Sequence, residues 1–152
     1  MLFAGKKTAF FSVSAILNGY APFSKPFFKI TSMEYKDKVA IVTGGAHGIG
    51  KCIAEEFRKK GASVAVIDMR EGDHFVGDIS KKEVLEAFAD EIIGKYGKVD
   101  YIINNALPLM KGLDVCTWEE FQYALTVGIT APFYHYIELK CEPGTCAVIV
   151  FE

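Results

Sequence analysis

The stretch from Val39 to Gly50 reads VAIVTGGAHGIG and decides how the rest of the chain is interpreted. Its first four residues are apolar and mostly β-branched, which favours a parallel strand covered on both faces. Gly44, Gly48 and Gly50 then follow in the spacing G-x-x-x-G-x-G. The first glycine lets the backbone turn off the strand, the second lets the main chain approach a pyrophosphate, and the third lets a helix pack against the sheet. The stretch therefore predicts a strand, a glycine turn and a helix whose N-terminus suits a phosphate.

A second strand and an acidic residue complete the unit that begins with this turn. The predicted helix ends at Gly61, and an apolar strand covers residues 64–67 before Asp68. Three apolar residues at helical spacing form the buried face of the helix: Ile49, Ile53 and Phe57. A carboxylate at Asp68, 24 positions after Gly44, is placed to accept both ribose hydroxyls of an adenine dinucleotide. The alternative is an ordinary βαβ unit whose glycines only make turns.

The composition favours one globular domain. At 152 residues the chain is long enough for one sizeable core, and its 51% hydrophobic and 24% charged residues are ordinary for that class. A net charge of −2 gives no attraction to nucleic acid or to an anionic membrane. No run approaches the roughly 18 apolar residues that span a bilayer. We therefore expect neither nucleic acid nor a membrane among the partners.

The cysteines give a weak indication of location. There are four of them, Cys52, Cys116, Cys141 and Cys146. They include no C-x-x-C pair and have too few histidines near them for a metal site. We interpret them as reduced thiols of a cytoplasmic protein. The alternative is that Cys141 and Cys146 close a small loop when they are oxidised.

Residues 1–32 differ from the rest of the chain. They contain seven aromatic residues and four lysines but no acidic residue. The apolar patch over residues 9–17 resembles a short signal-peptide core, but no convincing cleavage site follows it. Met33 lies just ahead of the first strand, as a natural start would. We therefore predict a poorly ordered N-terminal extension over residues 1–32 and a nucleotide-binding domain over residues 33–152.

Strands and helices continue to alternate after the second strand. A third strand is predicted over residues 74–79, and the S-x-x-E pattern of Ser80 and Glu83 predicts a capping box for the next helix. The later elements are a helix end at Gly97, a fourth strand over residues 99–103, a T-x-x-E capping box at Thr117 and Glu120, a kink or break at Pro132, and a fifth strand over residues 146–151. This alternation of strands and helices implies a parallel sheet with right-handed crossovers.

These residues resemble the short-chain dehydrogenase/reductase family. The resemblance rests on four motifs that each follow a predicted strand: residues 43–50 (T-G-x-x-x-G-x-G), Asp68, Asp78-Ile79, and Asn104-Asn105-Ala106. The motifs lie in the family's order, and together they cover about residues 34–151. The resemblance implies a doubly wound, Rossmann-like α/β fold with strand order 3-2-1-4-5, truncated after the fifth strand.

The resemblance also implies a nicotinamide cofactor. The residues that would contact its pyrophosphate side are Gly44, His47, Gly48, Ile49 and Gly50. Asp78 and Ile79 would hold the adenine, and Asn104 would bridge neighbouring strands and lie along the cofactor. Asp68 favours NAD over NADP, because a 2′-phosphate there would meet a like charge. His47 or Arg70 would partly offset that repulsion.

The family's catalytic residues are missing from their expected place. The family uses a serine and a Tyr-x-x-x-Lys pair that follow the fifth strand, and this sequence ends on that strand. Tyr136 and Lys140 have the spacing of the pair but precede the strand, so we interpret them as a coincidence. Two further departures are Gly128, where the family often has a proton-relay asparagine, and Leu107, where it usually has glycine.

The sequence therefore resembles the cofactor-binding part of an NAD-dependent enzyme that moves hydride between nicotinamide and an alcohol or ketone. We expect no turnover from the chain as written, and its small-molecule substrate is not readable. The alternatives are a non-catalytic NAD-binding module and a non-functional gene fragment. Family members commonly form homo-oligomers through helices on the flank of the sheet, and some of these helices are absent here.

Overall fold

Five parallel strands form the centre of the molecule. The computed structural model describes residues 35–108, 112, 114–139 and 147–150. The strands are β1 (Val39–Thr43), β2 (Ser63–Asp68), β3 (Phe75–Val76), β4 (Tyr101–Asn104) and β5 (Ala147–Val150). Their order in the sheet is β3-β2-β1-β4-β5, and every neighbouring pair is parallel. The predicted fold class and strand order are therefore confirmed.

Helices connect these strands, except that β3 follows β2 without an intervening helix. They are α1 (Gly48–Lys59), α2 (Lys82–Tyr96), α3 (Trp118–Leu125) and α4 (Ala131–Glu138), and a π-helical turn (Thr126–Thr130) joins α3 to α4. Pro132 lies in the first turn of α4. A proline is tolerated there because the N–H it lacks would have no partner in that helix. The change expected near Pro132 takes the form of this π-helical turn between two α-helical segments.

The side chains of β1 alternate between two cores, one on each face of the sheet. Ala40 and Val42 lie on the face covered by α1, where they pack with Ala54. Ile41 lies on the other face, in the larger core that includes Phe88 of α2 and residues of α4. All of these side chains are buried. Because helices cover both faces, the central strand is apolar almost throughout.

The register of the strands brings the loops at the carboxyl edge together. Thr43 pairs with Ile67 of β2 on one side and with Asn104 of β4 on the other. Thr43 is fully buried, and its Oγ1 accepts the N–H groups of Asn105 and Ala106, each at 3.0 Å. The loops after β1 and β4 are thus tied to each other at the edge where open α/β sheets bind ligands.

The start of α2 differs from the prediction. The helix begins at Lys82, and its N-cap residue, Lys81, makes no side-chain cap bond. The predicted capping box of Ser80 and Glu83 is therefore wrong. The Ser80 N–H donates to Asp78 Oδ1 at 2.9 Å instead. This Asx turn uses the position that the sequence assigned to the cap.

The third strand is also shorter than predicted. It covers Phe75–Val76 rather than residues 74–79. The Gly77 N–H donates to the Asp68 carbonyl oxygen at 2.9 Å, and the chain turns directly afterwards at Asp78. Asp78 therefore lies beside the carboxyl end of β2.

Three other predicted boundary signals are confirmed, although β4 begins at Tyr101 rather than at residue 99. Gly61 and Gly97, which follow α1 and α2, have φ angles of 91° and 71°, the left-handed conformation typical of helix ends. Thr117 Oγ1 accepts the Glu120 N–H at 3.2 Å, and Glu120 Oε2 accepts the Thr117 N–H at 3.1 Å. The T-x-x-E pattern thus forms a capping box at the start of α3.

Some predictions lie outside the described residues. They concern the extension over residues 1–32, the loop between Cys141 and Cys146, the side chain of Tyr136, and Lys140. Within the described part of the chain, Cys52 and Cys116 are free thiols, and no group of acidic, histidine or cysteine side chains is arranged to hold a metal. Within the same residues, no helix has both the length and the hydropathy to cross a bilayer.

Candidate functional site

A cleft of about 400 Å³ opens at the carboxyl edge of the sheet. Seven of the residues predicted to bind a cofactor line it: Gly44, His47, Gly48, Ile49, Asp68, Asp78 and Ile79. Gly50 and Asn104, which were predicted with them, do not line it. The cleft is completed by the loop after β4 and by side chains of α3 and the π-helical turn. The fold thus gathers residues from four separate motifs in one place.

Three of the four glycines in the turn occupy positions where the backbone or the packing favours glycine. Gly44 and Gly48 have φ angles of 65° and 56°, which side-chain-bearing residues rarely adopt. A Cβ atom on Gly48 would meet no protein atom within 4 Å, so its backbone borders open space. A Cβ atom on Gly50 would collide with Gly44 O and Asn105 Nδ2. Gly50 therefore allows close packing beneath the turn, while Gly48 leaves room above it.

The N-terminus of α1 presents its free amides at this cleft. The Lys51 N–H donates to the His47 carbonyl oxygen at 3.2 Å. The three preceding amides, those of Gly48, Ile49 and Gly50, have no acceptor within the helix. The Ile49 side chain is 69% exposed and lines the cleft, so it does not belong to the buried face predicted for this helix. Free amides and the positive end of the helix dipole together favour an anion here.

Asp68 is a buried charge on the cleft wall, with 6% of its surface exposed. Its Oδ2 accepts the Ala46 N–H and its Oδ1 accepts the Arg70 N–H, each at 3.0 Å. Burial alone would raise the pKa of this carboxyl, but the two backbone bonds and the nearby His47 and His74 hold the pKa below its usual value. The ionised carboxylate has further lone pairs, so it remains able to accept hydrogen bonds from a ligand.

His47 lies beside this carboxylate on the lip of the cleft. Its Nδ1 is 3.7 Å from Asp68 Oδ2, and 55% of its side chain is exposed. Arg70 also lines the cleft. Of the two residues that the sequence suggested as partial neutralisers of Asp68, His47 lies beside it with its ring, and Arg70 contacts it through its backbone N–H.

Asp78 and Tyr123 meet at one end of the cleft. Tyr123 Oη is 3.3 Å from Asp78 Oδ1 and 3.5 Å from Met69 Sδ. Burial and, second, the negative charge of Asp78 raise the pKa of the Tyr123 phenol, so it keeps its proton at neutral pH. Tyr123 thus connects α3 to the loops that follow β2 and β3.

Asn105, rather than Asn104, ties the glycine turn to β4. The Asn105 Nδ2 donates to Thr43 O and to Gly44 O, each at 3.1 Å. The sequence assigned this bridging role to Asn104, one residue earlier. Asn104 is buried in β4, where its Oδ1 lies 3.5 Å from His135 Nδ1. A contact between Asn104 and a cofactor stays a prediction.

The cleft also includes residues that the sequence did not single out, among them Met69, Tyr123 and Val127. Tyr123 and Val127 are four residues apart on one helical segment, a spacing that places them on a shared face. The sequence contains that spacing but does not show which part of the molecule the face meets. Met69 directly follows Asp68 and is 63% exposed, so only its position after the acidic residue could have indicated it.

The fold and this cleft define a class of protein. A doubly wound parallel sheet, a glycine turn that leads into a helix and a buried carboxylate after the next strand are the features of Rossmann-like nucleotide-binding domains. The cleft also fits a dinucleotide, because Gly48 leaves space against the main chain and Asp68 offers acceptor oxygens.

The chain belongs to the short chain dehydrogenase family, whose sequence pattern matches residues 38–136. Over 83 residues it is 42% identical to the NAD-dependent glycerol dehydrogenase of Listeria innocua, an alignment that covers 46% of this chain and 33% of that protein. Over 113 residues it is 34% identical to momilactone A synthase of Oryza sativa subsp. japonica, covering 63% of this chain and 41% of that protein. The family predicted from the four motifs is therefore confirmed.

A solved structure shows the same arrangement. The apo SCOR enzyme from Clostridium thermocellum superposes with a TM-score of 0.67 at 32% sequence identity, over 73% of this chain and 52% of that one. The chain thus spans about a third to a half of the length of these similar proteins.

Proposed function

We propose that this cleft binds NAD and that the chain supplies the cofactor-binding part of an enzyme that moves hydride between nicotinamide and an alcohol or ketone. The observation that carries the proposal is the position of the Gly48 backbone, the α1 N-terminus and the Asp68 carboxylate in one cleft. Membership of the dehydrogenase family supports it, as does the similarity to an NAD-dependent glycerol dehydrogenase.

The pyrophosphate would lie against the glycine turn. The amides of Gly48 and Ile49 have no acceptor in α1, and the space above Gly48 is open. An anion there gains hydrogen bonds and the favourable end of the helix dipole without displacing a side chain. His47 borders the same space, and Gly50 keeps the helix close to the turn.

The adenosine half would occupy the part of the cleft between β2 and α3. Asp68 would accept the ribose hydroxyls, while Asp78 and Ile79 would contact the adenine. The preference for NAD over NADP follows from charge, because a 2′-phosphate beside the ionised Asp68 would be repelled. His47 and Arg70 reduce this repulsion, so we expect weak rather than absent binding of NADP.

The nicotinamide supplies the hydride donor or acceptor when it is bound. A second candidate function is an NAD-binding module without turnover. Gly128 in the π-helical turn favours it, since the residue has no side chain to join a proton relay. Self-association, a small-molecule substrate and a cytoplasmic location stay predictions.

Isothermal titration calorimetry of the 152-residue chain with NAD and with NADP tests the proposal. We expect saturable binding of NAD and weaker binding of NADP. Asp68→Asn should lower NAD affinity about tenfold, because hydrogen bonds to a charged acceptor are lost, and should narrow the difference between the two cofactors. Asp90→Asn is the matched control, since Asp90 is exposed on α2.

The outcomes separate the two candidates. Absence of heat with both cofactors would overturn the proposal, and so would an equal loss of affinity in the Asp68 and Asp90 variants. NAD binding together with oxidation of a secondary alcohol supports the enzyme. NAD binding without oxidation of any alcohol supplied supports the binding module.

A further inference from the structure

Tyr123 closes the end of the cleft that the proposed function assigns to the base of the dinucleotide. It reaches from α3 to Asp78, which follows β3, and to Met69, which follows β2. All three side chains belong to residues that line the cleft. None of the four sequence motifs includes Tyr123, so its position is a property of this chain's own α3.

At this end of the cleft, the hydrogen atoms that are available for hydrogen bonds between Tyr123 and Asp78 can be counted. The phenol has one hydrogen to donate, and an ionised carboxylate has none. The carboxylate oxygen of Asp78 is a stronger acceptor than the thioether sulfur of Met69, so the Tyr123 hydrogen is directed to Asp78 Oδ1. The Ser80 N–H donates to the same oxygen at 2.9 Å.

This arrangement leaves acceptor lone pairs on Asp78 and on Tyr123 at this end of the cleft. Both hydrogen bonds that the described residues make to the Asp78 carboxylate end on Oδ1. The Oδ2 atom therefore keeps its lone pairs, and the Tyr123 oxygen keeps its own because its hydrogen is already used. Two acceptors side by side match a group that carries two hydrogens.

We propose that Tyr123 is a specificity-determining residue which, with Asp78, selects a base that carries an exocyclic amino group. The amino group of adenine gives one hydrogen to the carboxylate and one to the tyrosine oxygen. Hypoxanthine carries a carbonyl oxygen at that position, which has no hydrogen to give to either oxygen and would lie beside the negatively charged Asp78 carboxylate. The inference rests on the proposed binding of NAD and adds which base of the dinucleotide the cleft prefers.

Calorimetric titration of the full chain with NAD and with nicotinamide hypoxanthine dinucleotide tests this inference. The unmodified chain should bind NAD more tightly. Tyr123→Phe keeps the ring but removes the oxygen, so it should lower NAD affinity about three- to tenfold and leave the hypoxanthine analogue nearly unchanged. The ratio of the two affinities is therefore the informative readout, because a general loosening of the cleft would weaken both ligands together.

Tyr134→Phe is the matched control. Tyr134 also hydrogen-bonds a carboxylate, that of Glu86 at 3.0 Å, but it does not line the cleft. Its variant should keep the affinity ratio of the unmodified chain. An unchanged ratio in Tyr123→Phe, with NAD still bound, overturns the role of Tyr123 alone. Failure of the unmodified chain to bind either dinucleotide overturns the proposed function as well.

Discussion

Asn104 Oδ1 lies 3.5 Å from His135 Nδ1 where both residues are almost completely buried. Among the described residues, neither Asn104 Nδ2 nor His135 Nε2 has a hydrogen-bond partner. Burial lowers the pKa of His135 to about 4. The contact joins β4 to α4 through a histidine that must remain neutral in the folded state.

Acidification should therefore destabilise the fold by about 2 kcal/mol between roughly pH 7 and roughly pH 5. The unfolded chain binds a proton at His135 as the pH falls below about 6.5, whereas the folded chain does so only near its pKa of about 4. The contribution of neutral His135 is present above the unfolded pKa and is lost as the pH falls from there towards the folded pKa. Urea unfolding at the two pH values measures it.

His135→Leu provides the decisive comparison for that prediction. Leucine cannot be protonated, so the free energy of unfolding of this variant should depend much less on pH over the same interval. His47→Gln changes an exposed histidine and should leave the original dependence in place. Equal pH dependence in the unmodified chain and in His135→Leu would contradict the assignment to His135.

Gly50→Ala should disrupt the glycine turn. The added Cβ would collide with the Gly44 carbonyl oxygen and with Asn105 Nδ2, and overpacking of this kind costs about 1–3 kcal/mol. Because the turn must shift to relieve the collision, NAD affinity should fall as well. Thermal unfolding and calorimetric titration measure the two effects.

Gly94→Ala is the control for that substitution. Gly94 lies in α2, and a Cβ atom there would meet no protein atom within 4 Å. Alanine has the higher helix propensity, so this variant should gain up to about 1 kcal/mol of stability. A Gly50→Ala variant as stable as Gly94→Ala would contradict the close packing at Gly50.

Thr43→Val should lower the stability of the fold, because it removes the hydrogen bonds of Thr43 while nearly preserving the volume of the side chain. The hydroxyl oxygen is buried and accepts two backbone N–H groups, those of Asn105 and Ala106. Valine has nearly the same shape but leaves both amides unpaired, which should cost about 1–3 kcal/mol. Chemical unfolding measures the loss, and Thr130→Val, at an exposed position, should change stability by less than about 0.5 kcal/mol.

The sequence predicts the parts of this fold whose signals are local. The glycine turn, Asp68 and the capping box at Thr117 each depend on neighbouring residues within one short segment, and all three occur where they were expected. Ser80 shows the limit of such reasoning. Its S-x-x-E pattern matches a capping box as closely as the T-x-x-E pattern at Thr117 does. The Ser80 N–H nevertheless donates to the Asp78 carboxylate, so the capping box does not form.

The parts of the cleft that the sequence does not predict depend on contacts between distant segments. Asn104 and Asn105 are adjacent, and only the register of β4 against β1 decides which amide reaches Gly44 O. Tyr123 reaches the cleft because α3, which follows β4 along the chain, lies beside the loop that follows β3. Neither fact has a local signature, since both are set by packing between elements far apart in the chain.

Asp100→Asn should lower stability without weakening NAD binding by the folded molecule. Asp100 accepts the Val39 N–H at 2.9 Å and the ammonium groups of Lys38 and Lys98 at 2.8 and 3.1 Å. Burial would raise the pKa of its carboxyl, but these partners hold the pKa below its usual value. The contacts lie at the amino ends of β1 and β4, and the cleft lies at their carboxyl ends.

Loss of the Asp100 charge should lower the free energy of unfolding in urea by about 1–3 kcal/mol. Calorimetry well below the melting temperature should nevertheless give the NAD affinity of the unmodified chain. A weaker affinity under those conditions would show that the two ends of the sheet are coupled.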